Sequence, residues 1–422
     1  MNIYFSGIGG VGLGPLAQMA VDAGHTVVGS DASDSLTVQE LTQRGVQVHV
    51  GEQTGEYLRN VHAVSHLDWL VYTAGLPDDH PELITARELG IHVTKRDGLL
   101  AQLIADSGQK LIAVAGTHGK TTTTGMLIWL FRQFDIPASY SVGSQLSFGP
   151  SGKFDPTAEY FIYECDEFDR NFLRFHPSIS LITSVDYDHP DTYPTQQEYY
   201  DAFDEFATQS ELVIAWSKDL DIESPGHSNL LHVIPATQDV SFLHLPGLHN
   251  RQNAYLVYTL FVDHFGAADN ETSVTRCLES FPGTTRRFER LGDNLYSDYG
   301  HHPTEIAATL QMARELSGHV VLVYQPHQNI RQHEIRDQYI DEIFKDADDI
   351  YWLPTYLSRE DPALEILTPK QLTAQLAPAK LHLAEFDEKL WSEITRHRDA
   401  GHLVLCMGAG SIDGWLRKQL TK

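Results

Sequence analysis

Gly116-Thr117-His118-Gly119-Lys120-Thr121 places a lysine and a hydroxyl directly behind a turn bounded by two glycines. Glycines let backbone amides close around a phosphate, an ammonium neutralises its charge and a threonine hydroxyl can hold Mg2+, so this spacing predicts a phosphoryl-handling loop. The loop is shorter than the common G-x-x-x-x-G-K-[ST] form, because Val114 stands five positions before Gly119. Gly116, Thr117, Gly119, Lys120, Thr121 and Thr122 are the candidate phosphate ligands.

Such a loop needs a metal partner, and two polar clusters follow later in the chain. Glu164, Asp166, Glu167 and Asp169 lie in YECDEFD, and Asp186, Asp188, His189 and Asp191 lie in SVDYDHPDTY. Acidic loops are ordinary in a chain of formal charge −27, but both clusters end strand-like runs. In an open α/β sheet, strand ends share one rim with the phosphate loop, so Mg2+ held partly by protein and partly by phosphate is expected there.

A second glycine loop opens the chain. Gly7-Ile8-Gly9-Gly10-Val11-Gly12 matches G-x-G-x-x-G, with Asp31 at the end of the next strand-like run. The glycines allow backbone amides at a helix N-terminus to approach a diphosphate, which any nucleotide diphosphate satisfies. Two nucleotide-type loops in succession argue against a simple dehydrogenase.

The elements that must position these residues are legible as alternating patterns. NIYFSG, HTVVGSD, VQVHVG, LDWLVYTAG and IHVTKR read as strands, separated by amphipathic stretches such as VGLGPLAQMAVDAG and SLTVQELTQRG. The pattern restarts after DSGQK at residues 106–110 with LIAVAG, a long apolar helix, and the strands YFIYE, ISLITSV and ELVIAW. Helices are expected near Gln196–Thr208 and His249–Phe265. Beyond PGTTRR at 282–287, NLYSDYG, HVVLVYQ, DIYWLP, KLHLAEF and HLVLCMG supply further strands. The expected fold class is three successive α/β domains: 1–107 Rossmann-like, 108–284 built around the phosphate loop, and 285–422 Rossmann-like again.

Composition is consistent with a folded chain of that kind. Its 422 residues are 42% hydrophobic and 21% charged, inside the globular range. Thirty Lys plus Arg against 57 Asp plus Glu give a field that disfavours nucleic acid and anionic membranes, so anionic ligands must be captured locally. Three widely separated cysteines supply neither a disulfide framework nor a CxxC metal knuckle. With no leader-like or membrane-spanning run, a cytoplasmic location is expected.

GTHGKTTTT, ECDEFD, DHPDTY, LPGLHNRQNA, RRFERLG, DYGHHPTEIAAT and MGAGSI resemble, in order, the motifs of the Mur ligases, and the resemblance spans the chain. It implies a three-domain enzyme of peptidoglycan precursor synthesis that uses ATP and Mg2+ to join a carboxylate to an amine through an acyl phosphate. DYGHHPTEI and YQPHQNIRQHE are most similar to the alanine-adding branch, so UDP-N-acetylmuramate and L-alanine are the expected substrates. The branch that recycles a tripeptide is the alternative. A monomer or homodimer is expected.

Residue by residue, the resemblance assigns Gly7, Gly9, Gly10, Gly12 and Asp31, with Thr73, Ala74 and Gly75 after LDWLVY, to the UDP-sugar. It gives Lys120 the transferring phosphoryl group, Thr121 and Glu164 one metal ion, and Glu164 with His189 a second. His249, Asn250 and Asn253 match the adenine-side motif, Arg287 the phosphate arginine and Asp298 the ribose ligand, the last two acting from across a cleft. Tyr299, His301, His327 and Arg331 fall where the amino acid is gathered, and His189 or His301 would take the amine proton.

Three features depart from the family pattern. Gln328 stands where an arginine is usual, Ser184 where an asparagine is usual before the metal-binding histidine, and Asp186 where a glutamate is usual. Lys153 and Lys218 have no lysine between them, so the carbamylated lysine of other branches has no source, which favours the alanine-adding one. A nicotinamide oxidoreductase would leave the Lys120 loop unexplained, and a non-catalytic UDP-sugar sensor would leave Lys120, Thr121, Glu164 and His189 without a task.

Overall fold

The computed structural model describes residues 1–10, 12–73, 75–189, 192–219, 230–358 and 360–421. Ala74 and Asp191, named above as candidates, lie outside the described residues. Among the described residues the strands form three sheets, each with the α/β alternation expected from the sequence.

The first sheet comprises β1 (Asn2–Ser6), β2 (Thr26–Asp31), β3 (Gln47–Val50), β4 (Trp69–Tyr72) and β5 (His92–Lys95), all parallel in the order β3-β2-β1-β4-β5. That order reverses direction beside β1, where an open parallel sheet leaves a crevice at its carboxyl edge. A buried carboxylate ties that edge together. Glu82 is fully buried and accepts from Tyr4 OH at 2.6 Å, Ser30 Oγ at 2.8 Å, Gln53 Nε2 at 3.2 Å and the Ser6 hydroxyl. Ser6 and Ser30 end or nearly end β1 and β2, so this network anchors the strands that carry the first glycine loop and Asp31.

The second sheet contains β6 (Lys110–Ala115), β7 (Ala138–Ser141), β8 (Gly152–Lys153), β9 (Tyr160–Glu164), β10 (Ile179–Ile182), β11 (Leu212–Trp216) and β12 (Leu230–Ile234). Their order is β12-β11-β10-β6-β9-β7-β8, with only β8 antiparallel to its neighbour. β10 and β11 are buried at every position and β6 at all but its first, which is why they read as unbroken apolar runs rather than alternating ones. The helix Lys120–Gln133 follows β6 and buries Met126, Leu127, Ile128, Leu130 and Phe131, each worth roughly 1.5–3 kcal/mol when removed from water. One buried cluster includes Leu99, Leu100 and Leu103 as well as Phe161, Tyr163 and Phe172, so the first two sheets share a core.

The third sheet is built from β13 (Glu289–Gly292), β14 (Leu295–Asp298), β15 (Val320–Tyr324), β16 (Asp349–Trp352), β17 (Leu381–Leu383) and β18 (Leu403–Met407). Its order is β13-β14-β18-β15-β16-β17, parallel except for the β13–β14 hairpin. By contact the chain divides into two compact units, Met1–Gln238 with Leu256–Leu278, and Asp239–Tyr255 with Glu279–Lys422.

Some elements carry no clear pattern in the sequence. β7 is ASYS, half serine yet buried throughout, and Ser139 Oγ accepts the Asp155 amide at 2.9 Å instead of reaching water. The helix expected over His249–Phe265 runs over Leu248–Thr259 and then widens into a π-helical turn, Leu260–His264. Among the described residues no helix is long and apolar enough to cross a membrane.

Candidate active site

The Lys120 loop sits where β6 ends. Gly116 has φ +137° and Gly119 φ +84°, and a Cβ on Gly116 would lie 2.2 Å from Thr183 Oγ1 and 2.8 Å from the Ser184 carbonyl. Only glycine fits. The loop is then stitched to the segment after β10: Thr117 N donates to Ser184 O at 2.9 Å, His118 N to Ser184 Oγ at 2.9 Å, and Thr117 Oγ1 to Asp186 O at 2.8 Å. Ser184, a departure from the family pattern, thus serves as a loop-holding hydroxyl. Gly116→Ala should cost at least about 2 kcal/mol through its left-handed backbone and this collision, read as a lower urea midpoint at unchanged m.

At the start of the helix, Thr121 Oγ1 donates to Glu164 Oε1 at 2.7 Å, and Glu164 Oε2 accepts the Gly143 amide at 2.6 Å. Thr121 and Glu164, assigned together from the sequence, meet. Thr122, in the same turn, is half-buried. Lys120 Nζ folds back onto Gly116 O at 2.6 Å and Thr117 O at 3.3 Å, and pairs with Glu167 Oε2 at 2.6 Å. Glu167 is only 1% exposed; burial pushes its carboxyl up to about 7 against the pull of Lys120.

Glu167 also faces the histidine. His189 Nε2 lies 3.7 Å from Glu167 Oε1 and 3.8 Å from Asp188 Oδ2, and its ring packs edge-on against Phe168. His189, which the resemblance sets with Glu164 around a metal ion, thus also has Glu167 beside it in this geometry. Spacing alone could not choose among four carboxylates in YECDEFD. The three-residue step from Glu164 to Glu167 leaves the strand, and Tyr193 OH, donating to the Glu167 carbonyl at 2.6 Å, holds that turn.

In the first sheet, Gly7, Gly9, Gly10 and Gly12 follow β1, and Asp31 ends β2. Asp31 Oδ2 accepts the Gly9 amide at 2.8 Å, so this carboxylate shapes the glycine loop. Thr73 and Gly75 follow β4 and come against it: a Cβ on Gly7 would lie 2.8 Å from Thr73 Cγ2. One cation went unremarked in the sequence. A Cβ on Gly12 would lie 3.4 Å from Arg96 Nη1, which sets a guanidinium beside the helix N-terminus where a diphosphate is favoured. Its only sequence signal is a basic residue opening the helix after β5.

The second unit gathers the remaining candidates at the carboxyl ends of β14, β15 and β18. Asp298 is buried and already accepts Phe288 N and Gly300 N, each at 2.7 Å, and burial raises its carboxyl above the usual range. It fixes the turn that carries Arg286 and Arg287, whose guanidinium carbons lie 4.7 and 5.1 Å from the Tyr299 ring centre. Arg287 Nη1 is 3.7 Å from Glu305 Oε1. His301 faces Arg331 through Nε2 and Glu305 through Nδ1 at 3.5 Å, with His327 edge-on at 5.8 Å. His327 stacks on Tyr356, and burial lowers its pKa; its Nδ1 is buried without a hydrogen-bond partner. Gln328 opens the next helix with φ +58°.

His249, Asn250 and Asn253 lie on the helix that starts at Leu248. Gly247 N donates to Glu315 Oε2 at 2.9 Å, Leu248 N to Gln311 Oε1 at 3.0 Å, and Arg251 pairs with both Glu315 oxygens at 2.9 Å. Asn250 Nδ2 donates to the Pro246 carbonyl at 3.2 Å. Burial lowers the His249 pKa to about 4, so its ring is neutral, and its buried Nδ1 has no hydrogen-bond partner.

Three family models match in order: "Mur ligase family, catalytic domain" over residues 2–107, "Mur ligase middle domain" over 114–224 and "Mur ligase, glutamate ligase domain" over 286–410. A UDP-N-acetylmuramate--L-alanine ligase of Nocardioides sp. is 34% identical, covering 97% of this chain and 94% of the relative. The protein of that name from Clavibacter michiganensis is also 34% identical, over 86% and 80%. Among solved structures, UDP-N-acetylmuramate-alanine ligase from Thermotoga maritima superposes with a TM-score of 0.73 at 23% identity over the full length of both chains. A murein peptide ligase from Psychrobacter arcticus gives 0.65 at 22% identity, covering 100% of this chain and 98% of that one.

Proposed function

Because this chain belongs to the Mur ligase family, we infer that it joins L-alanine to the carboxylate of UDP-N-acetylmuramate, with ATP converted to ADP and phosphate. What supports the chemistry most is the gathering of Lys120, Thr121, Glu164, Glu167 and His189 at one sheet edge.

The muramate carboxylate attacks the γ-phosphorus of ATP, the bond to the β-phosphate oxygen breaks, and an acyl phosphate forms. Lys120 would neutralise charge on the transferring group, held in place by Gly116 O, Thr117 O and Glu167. The Thr121 hydroxyl and Glu164 carboxylate, hard oxygen donors 2.7 Å apart, fit Mg2+ completed by phosphate and water oxygens. Bound there, Mg2+ would offset the repulsion between two anionic reactants. The amine of L-alanine then attacks the carbonyl carbon, the C–N bond forms, phosphate leaves, and an imidazole, His189 or His301, takes the amine proton.

The glycine loop, with Thr73 and Gly75, is the proposed diphosphate cradle, and Arg96 its aimed cation. We assign His249, Asn250 and Asn253 to adenine: an asparagine amide donates and accepts in one plane, which suits its edge. Arg287 is assigned to the phosphates and Asp298 to the ribose, using the lone pairs its two backbone bonds leave. Tyr299, His301, His327 and Arg331 are assigned to the amino acid, with the Arg331 charge and the unpaired His327 Nδ1 suited to its polar groups.

The test is phosphate release from Mg-ATP and UDP-N-acetylmuramate across L-alanine, L-serine, glycine, D-glutamate and the muropeptide tripeptide. L-alanine should support the highest kcat/KM. Equal turnover with the tripeptide would instead identify a recycling ligase.

A further inference from the structure

The amino end of the helix Leu248–Thr259 is capped by a distant part of the chain. Gly247 N donates to Glu315 Oε2 at 2.9 Å and Leu248 N to Gln311 Oε1 at 3.0 Å, which gives two backbone donors at a helix start the acceptors they need. Both acceptors stand near the carboxyl end of the helix Pro303–Leu316. Arg251, one turn further on, grips the same Glu315 carboxylate with two nitrogens, each at 2.9 Å, and its Nη1 also donates to the Leu245 carbonyl at 2.8 Å. The hydrogen bonds from Arg251 hold the Glu315 carboxyl down at about 2, so it stays ionised across the neutral range. Gly247 permits the close approach: its φ is +82°, and a Cβ there would lie 2.9 Å from Met312 Cβ.

Asn250 lies inside this clamp. Its Nδ2 donates to the Pro246 carbonyl at 3.2 Å and to Met312 Sδ at 3.3 Å. A carbonyl and a thioether are both acceptors, so together they fix which end of the amide carries nitrogen and occupy its two hydrogens. Oδ1 is left without a hydrogen-bond partner among the described residues. A ligand that meets Asn250 therefore meets an acceptor. The exocyclic amine of a 6-aminopurine donates to such an oxygen, whereas the carbonyl of a 6-oxopurine would set lone pairs against lone pairs.

We propose that Glu315 is a positioning residue for base recognition: with Gln311 and Met312 it holds Asn250 oxygen-outward, and so makes the chain select a 6-aminopurine nucleotide over a 6-oxopurine one. The proposal rests on the assignment of Asn250 to adenine. Glu315 acts through Gly247 and Arg251, and Met312 acts on the amide directly. The helix that carries both is secured separately at its other end, where His302 and Glu305 form a reciprocal cap. Truncating Glu315 should thus loosen the clamp and leave the helix folded.

Titration calorimetry of the full-length chain with Mg-ATP and with Mg-ITP, which carries a carbonyl oxygen in place of the 6-amine, tests this. The unmutated chain should bind ATP more tightly by about 30-fold or more, because a site built around a donor rejects an analogue that lacks it. Glu315→Ala should raise the Kd for Mg-ATP about 10-fold and shrink the ATP-to-ITP ratio by about 5-fold or more. Met312→Leu keeps the volume but removes the sulfur acceptor, and should shrink the ratio about 3-fold. Both variants should hold the Kd for UDP-N-acetylmuramate within about twofold, since the proposed diphosphate cradle lies in the first sheet, and a general loss of folding would move it.

Equal affinity of the unmutated chain for the two nucleotides would overturn the adenine assignment and the proposal with it. A preference for ATP that Glu315→Ala keeps in full would overturn the role of Glu315 alone, as would, should that variant fail to fold, a full preference in Met312→Leu.

Discussion

Lys120→Ala should lower alanine-dependent phosphate release by about 10^3-fold or more, because one aimed charge on a transferring phosphoryl group is worth that much in a dry site. Only 14% of this side chain is exposed, and its ammonium already rests on Gly116 O, Thr117 O and Glu167, so it is placed before any ligand arrives. Its loss should act on kcat far more than on the KM for L-alanine. Lys120→Arg should rescue little, since a planar fork does not fit the pocket that three oxygens make for an ammonium. Single-turnover measurement of ADP formation separates this loss from slow product release. Residual activity within tenfold of the unmutated chain would remove Lys120 from the reaction.

Glu167→Ala should destabilise the first unit by about 3–5 kcal/mol, the usual cost of leaving one partner of a buried pair behind. Two positive or potentially positive groups lose their counterpart at once: Lys120 at 2.6 Å and His189 at 3.7 Å. Glu167→Gln keeps an oxygen for the Lys120 ammonium and should fold better, yet should still lose activity, because a neutral amide no longer balances the lysine's charge. Urea unfolding and initial rates on both variants check this. A fully active, equally stable Glu167→Ala would show that the acid is dispensable.

Much of this arrangement is legible in the chain before any coordinates. The strand Lys110–Ala115, its glycine-bounded loop and the apolar helix behind it announce themselves by composition, because a buried parallel strand and a phosphate loop tolerate few residue types. Glu167 is less legible. Glu164 and Glu167 are chemically alike and three positions apart, and only the fold shows one on the Thr121 hydroxyl and the other under Lys120.

Asp298 illustrates the converse. Its type and place suggest a ligand contact, and both oxygens also hold the turn behind Arg286 and Arg287, a second demand set by backbone amides that sequence patterning does not display. Likewise Asp31 spends one oxygen on Gly9 N, and Arg96 reaches the glycine loop from a helix more than eighty positions further along. Such contacts depend on tertiary approach, where residue spacing carries no information.

The most direct measurement follows the oxygen atoms. With oxygen-18 in the carboxylate of UDP-N-acetylmuramate, an acyl phosphate requires that one labelled oxygen leave with phosphate when L-alanine attacks. Mass spectrometry should find one label per released phosphate, in step with the alanine amide formed. Unlabelled phosphate accompanying amide formation would contradict phosphoryl transfer to the sugar acid.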